Sequence, residues 1–83
     1  GWATIVFSAR AARWVADEHW HSQQHGRFLP DGRYELKLPY SVPRELLMDV
    51  LHYGADAEIV EPTSLREQAR AHLQLALGNY QQD

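Results

Sequence analysis

The sequence predicts an α+β fold: a four-stranded antiparallel sheet in the chain order β-α-β-β-α-β, two helices on one of its faces, and one more helix at the C-terminal end. Three observations predict it. Residues 33–40 alternate between charged and apolar side chains directly after a Pro-Asp-Gly turn. Two stretches, 9–18 and 43–53, carry apolar residues at helical spacing; a β-rich run precedes the first and another follows the second. A third amphipathic stretch completes the chain. A period of two marks a strand with one buried face, and a period near 3.6 marks a helix with one buried stripe.

Taken in order, Ala3 to Phe7 (ATIVF) is the first strand. Ser8 stands where an N-cap belongs, because its hydroxyl can accept a bond from a helix N–H that has no partner within the helix. The helix that follows spans Ala9 to Glu18, with Ala11, Trp14 and Val15 on the buried stripe and Arg10, Arg13 and Asp17 on the opposite side. His19 to Phe28 reads as a strand with one wet face, its Trp20 and Phe28 bracketing Ser22, Gln24 and Gly26 at even spacing. Pro30-Asp31-Gly32 is a turn, since Pro presets one φ and Gly accepts a positive one. Arg33 to Tyr40 puts Tyr34, Leu36, Leu38 and Tyr40 on one face, so the two runs form a β-hairpin.

Pro43 fits the first turn of a second helix, where its missing N–H is no loss. Leu46, Leu47, Val50 and Leu51 form the buried stripe, and Gly54 is placed at C′ with positive φ. Ala57 to Val60 is the last strand, ended by Pro62. Ser64-Leu65-Arg66-Glu67 matches a capping box at the start of a third helix, whose seam is Leu65, Ala69, Leu73, Ala76, Leu77 and Tyr80. The first six elements are in the split βαβ order of a ferredoxin-like fold. The C-terminal helix is surplus to it, and its apolar stripe must cover the open sheet face, a neighbouring domain or a partner subunit. Leu73, Leu77 and Tyr80 are the candidate interface residues.

Eighty-three residues make one domain, 1–83, close to the size at which a single core suffices. A content of 45% hydrophobic and 23% charged residues is too apolar for disorder and too charged for a membrane span. There is no Cys, which removes disulfides and thiolate metal sites and fits a reducing cytoplasm. No apolar run is long enough for a membrane helix or a signal peptide, so no membrane partner is expected. The net charge of −3 argues against a freestanding nucleic-acid binder. It is unevenly spread: residues 1–44 hold six basic against four acidic side chains, residues 45–83 two against seven. Such a split permits local anion binding in the first half or head-to-tail attraction between subunits.

No nucleophile elbow, Gly-rich phosphate loop or HExxH pattern is present, and every Ser has a capping, turn or surface role, so no catalytic residue, enzyme activity or cofactor is expected. His19 and His21 would share a strand face and could hold two positions of a metal ion, but only distant Asp or Glu could complete the set. Arg10 and Arg13 share a helix face. With His21, Gln23 and Arg27 they make a candidate patch for phosphate groups, with Trp20 available to stack on a base. An RNA-recognition-motif reading fails, because Tyr34 and Tyr40 alternate in phase with Leu36 and Leu38, as a core face does.

Three blocks suggest a family. Phe7-Ser8 and the Ala/Arg/Trp-Val helix lead into His19-Trp20-His21-Ser22-Gln23; a Pro-Asp-Gly hairpin follows; and Arg44-Glu45-Leu46-Leu47 runs into Tyr53-Gly54-Ala55-Asp56-Ala57-Glu58-Ile59-Val60-Glu61-Pro62. Their succession over nearly the whole chain resembles the C-terminal extension, or WCX domain, of bacterial WYL-domain transcriptional regulators. That resemblance implies a ferredoxin-like fold and a longer parent, of which these residues are one piece, with a helix-turn-helix that binds DNA and a WYL domain that senses an effector, in some cases a nucleic acid. It implies for this chain an accessory part in dimerisation and effector sensing, with the WYL domain of the same chain or a second subunit as partner. The DNA-reading helices are not in this sequence, so promoter binding is not assigned to it.

Overall fold

The computed structural model describes residues 1–81. β1 (Trp2–Phe7) passes through Ser8 into α1 (Ala9–Val15); β2 (His25–Phe28) and β3 (Tyr34–Pro39) form the hairpin. α2 (Pro43–Leu51), a 3-10 turn at Gly54–Asp56, β4 (Ala57–Glu61) and α3 (Thr63–Tyr80) complete the chain. The α+β class holds: one four-stranded sheet in the order β2-β3-β1-β4, antiparallel at each pairing, with three helices.

Register decides which side chains are buried. Ile5 lies opposite Leu36 on one side and Ile59 on the other, and Phe7 opposite Tyr34 and Ala57. Residues directly opposite share a face, so this parity puts Ala3, Ile5, Phe7, Tyr34, Leu36, Leu38 and Ile59 on one side of the sheet, all buried. The helices close over them with Ala11, Ala12 and Val15 of α1, Leu46, Leu47 and Val50 of α2, and Leu65 and Ala69 of α3. A fully buried Phe, Ile or Leu contributes about 1.5–3 kcal/mol, so Phe7, Ile5, Leu36 and Leu65 anchor the core. α3 therefore joins the same core as α1 and α2 and leaves the other sheet face uncovered. That face carries Thr4, Val6, Arg27, Glu35 and Lys37, with Trp2 stacked on His25 at 6.0 Å. A bulge at Thr4/Ile5 pairs Thr4 with Glu61 but Ile5 with Ile59, which leaves Val60 without an opposite residue.

Several boundaries differ from the sequence reading. β2 begins at His25; His19 to Gln24 is a loop. In the register His25 opposite Lys37, extending β2 would bring it against Leu38 and then Pro39, which has no N–H to donate. The Gln24 side chain offers the loop another set of partners. Its Oε1 accepts from the Trp20 and His21 N–H groups at 2.6 and 3.0 Å, and its Nε2 donates to the Glu18 carbonyl at 3.1 Å. α1 stops at Val15, after which the Asp17 and Glu18 N–H groups bond three residues back in a tightened turn. Trp14 is 58% exposed and is not in the core stripe, because Ala11, Ala12 and Val15 already define the face turned to the sheet. α3 starts at Thr63, behind Pro62, without a side-chain cap, so Ser64 lies inside the first turn and the capping box does not form. α2 is capped at His52; Gly54 has the expected positive φ of 56°, two residues past that cap rather than at C′. Gly32, with φ of 92°, closes the hairpin turn as expected.

Candidate functional site

The basic and aromatic residues of the candidate phosphate patch are divided between the two sides of the molecule. Ser8 caps α1 as the sequence suggests, its Oγ accepting from the Ala11 N–H at 3.1 Å. The same hydroxyl donates to Asp56 Oδ1 at 2.8 Å, and the Ser8 N–H donates to the Asp56 carbonyl at 2.8 Å. Arg10 approaches the other oxygen of Asp56 at 3.5 Å. A carboxylate is favourable at the positive end of a helix, and at α1 Asp56 already fills that place. Arg13 sits 5.6 Å from the centre of the exposed Trp14 ring.

Arg27 is on the other side of the sheet. Its register opposite Glu35 puts it on the uncovered face, away from α1, where its Nε donates to Glu35 at 2.9 Å. This hydrogen bond and the charge of Arg27 hold the Glu35 carboxyl below its ordinary value, and Glu35 in turn raises the Arg27 guanidinium. Trp20, His21 and Gln23 belong to the α1–β2 loop. His21 Nδ1 accepts from the Gln23 N–H at 3.0 Å, which assigns the ring proton of the neutral form to Nε2. Gln23 is exposed. The structure thus brings Trp20, His21 and Gln23 together and separates Arg27 from Arg10 and Arg13. His19 and His21 are in this loop rather than on a strand face, and among the described residues no three His, Asp or Glu side chains come together to hold a metal ion.

Trp20 turns inward. Its ring stacks on Tyr53 at 5.9 Å and meets Phe7 edge-on at 5.8 Å, and Phe7 meets Tyr53 at 5.2 Å. The Tyr53 hydroxyl donates to the Glu18 carboxylate at 2.9 Å and 3.1 Å. Burial, then the hydrogen bond to Glu18 and the charges of Glu18 and Asp49, push the Tyr53 phenol up to about 12. Trp20, Tyr53, Glu18 and Asp49, with His19, Met48 and His52, line a cleft of about 460 Å³ between the loop and the end of α2. Sequence reasoning missed it, because Trp20 and Tyr53 are far apart in the chain and neither has a pattern that announces the other.

The interface candidates stand out from the domain. Along the α3 seam Leu65 is 1% exposed, but Leu73 is 50%, Leu77 53% and Tyr80 88% exposed. The helix leaves the core after Ala69, and the space beside it is a groove of about 410 Å³. Val50, Leu51, Ile59, Leu73 and Leu77 make its apolar walls, with Arg66, Glu67 and Arg70 along the rim. Arg66 is itself tied across to Glu58 at 2.6 Å and to the Ile59 carbonyl at 2.9 Å, so this end of the groove is fixed.

No described helix is long and apolar enough to cross a membrane. A comparison with curated proteins finds no match. The model of the WCX domain family matches residues 1–77, which includes every strand, α1, α2 and the first four turns of α3. The chain belongs to the WCX domain family.

Proposed function

We propose that this domain is the accessory, non-enzymatic module of a WYL-family transcriptional regulator, and that it docks through the second half of α3 onto another unit of that regulator. The observation that carries the reading is the single seam of α3. Leu65 and Ala69 spend it on the domain's own core, while Leu73, Leu77 and Tyr80 continue it into solvent. An isolated helix gains little in water without tertiary contacts, and an apolar stripe on a surface helix marks a contact with another body. The antiparallel sheet, with β1 and β3 central and α1 and α2 packed on one face, fits the ferredoxin-like arrangement and supports the same family-level role.

The partner is the WYL domain of the same chain or a second subunit, and sedimentation of the chain tells them apart. A concentration-dependent dimer that disappears in the Leu73→Glu/Leu77→Glu variant assigns the second subunit. A strict monomer at high concentration leaves the WYL domain. A dimer that persists unchanged in the variant removes α3 as the docking element.

A further inference from the structure

We propose that the cleft between the α1–β2 loop and the end of α2 is a binding site for a guanidinium group. Its wall is the stacked pair of Trp20 and Tyr53, with His52 edge-on to Tyr53 at 5.9 Å. Glu18 and Asp49 bring two carboxylates to it from different elements, and no Lys or Arg lines it. Neither carboxylate has an ion pair among the described residues. The cleft is an anionic, aromatic-walled concavity of about 460 Å³, within the usual range for small-ligand sites.

The arrangement selects among cations. Among the described residues no three His, Asp or Glu side chains come together to hold a metal ion, and the two carboxylates of the cleft stand on different elements, Glu18 in the α1–β2 loop and Asp49 in α2. A guanidinium suits spread charge, because it is planar, presents five donors in a fixed fork and stacks on aromatic faces. Both oxygens of Glu18 accept from the Tyr53 hydroxyl at 2.9 and 3.1 Å, which fixes the carboxylate while each oxygen keeps an unused lone pair. The Trp20 ring is held by its contacts with Tyr53 and Phe7, which fixes the aromatic wall of the cleft.

The guanidinium can come from a free small molecule or from an arginine side chain of a protein, and the probes separate the two. The readout is the Trp20 indole N–H resonance of the folded chain, with the exposed Trp2 and Trp14 as references. Ethylguanidinium and acetyl-Gly-Arg-Gly-amide should each shift Trp20 saturably while the references stay still. The Asp49→Asn variant, an exposed change on the outside of α2, should weaken binding about fivefold, as loss of one exposed charge pair does. Tripeptide binding about tenfold or more tighter than ethylguanidinium assigns a protein-borne arginine; equal affinities assign a free cation. The proposal is overturned if neither probe gives a saturable Trp20 shift, if Asp49→Asn binds as well as the parent chain, or if acetyl-Gly-Lys-Gly-amide binds as tightly as its arginine counterpart.

Discussion

The phenol of Tyr34 in β3 lies across the backbone of Gly26 in β2, so closely that a β-carbon at residue 26 would overlap the Tyr34 ring and hydroxyl. Glycine is needed there for close approach rather than for an unusual φ. Tyr34 belongs to the buried core, so it has no free direction in which to retreat. Gly26→Ala should lower stability by about 1–3 kcal/mol, the usual cost of overpacking. In a thermodynamic cycle with Tyr34→Leu, the loss from Gly26→Ala should largely disappear when measured by urea unfolding. Full additivity would show that Tyr34 is not the obstacle.

The N-terminus of α1 is tied to the turn before β4 through Ser8 and Asp56. Ser8→Ala removes both the cap and the bond to Asp56 and should cost about 1–2 kcal/mol. Asp56→Asn keeps an acceptor for the Ser8 hydroxyl but loses the charge near Arg10. It should cost less than Ser8→Ala, and the two together should be less than additive because they share one bond. Thermal melts of the two single variants and the double variant decide it.

Acid should act through Glu35. Its folded carboxyl is held below the ordinary value by Arg27, so the pair adds stability above the unfolded carboxylate range near pH 4.3, and that stability is lost as pH falls through the lower folded value. Glu35→Gln should melt at a lower temperature than the parent chain at pH 7. The gap should close as the pH falls towards 3. A gap that is constant with pH would mean that Glu35 contributes by packing alone.

Nucleic-acid binding by the chain on its own should be weak. Arg10 and Arg27 are each engaged with a carboxylate, and Arg27 is on the opposite side of the sheet from Arg10 and Arg13. Binding that rests on phosphates needs several cations along one track. Titration with short single-stranded DNA should give no saturation at about 0.15 M salt, the physiological value. Saturable binding that Arg10→Ala and Arg13→Ala abolish together would restore these residues as an effector patch.

The hairpin was legible because its signals are local: Pro30-Asp31-Gly32 fixes the turn, and the phase of Tyr34, Leu36 and Leu38 fixes which face is buried. The α3 seam was equally plain, since a period of 3.6 needs only the neighbours along one helix. The α1–β2 loop was not. Trp20, Ser22, Gln24 and Gly26 alternate as a strand would, and nothing nearby says that the Gln24 amide will take over the backbone groups a strand partner would have satisfied. Trp14 misled for a related reason. Helical spacing put Ala11, Trp14 and Val15 on one stripe, but the sheet took Ala11 and Val15 of that set together with Ala12. The Trp20–Tyr53 cleft depends on the packing of a loop against a distant helix end, which no window of sequence contains.

Hydrogen exchange along α3 tests the docking of this domain most directly. It compares the 83-residue chain with the longer WYL-family regulator that the proposed role assigns to it. In the monomeric chain the amides from Arg66 to Ala69, the first with partners one turn back, should be protected, and those from Leu73 to Tyr80 should exchange quickly, because only the first half of the helix is packed. In the intact regulator the second half should become protected, and Leu73→Glu/Leu77→Glu should remove that protection without changing the first half. Exchange from Leu73 to Tyr80 that is as fast in the regulator as in the monomeric chain would contradict the proposed docking of α3.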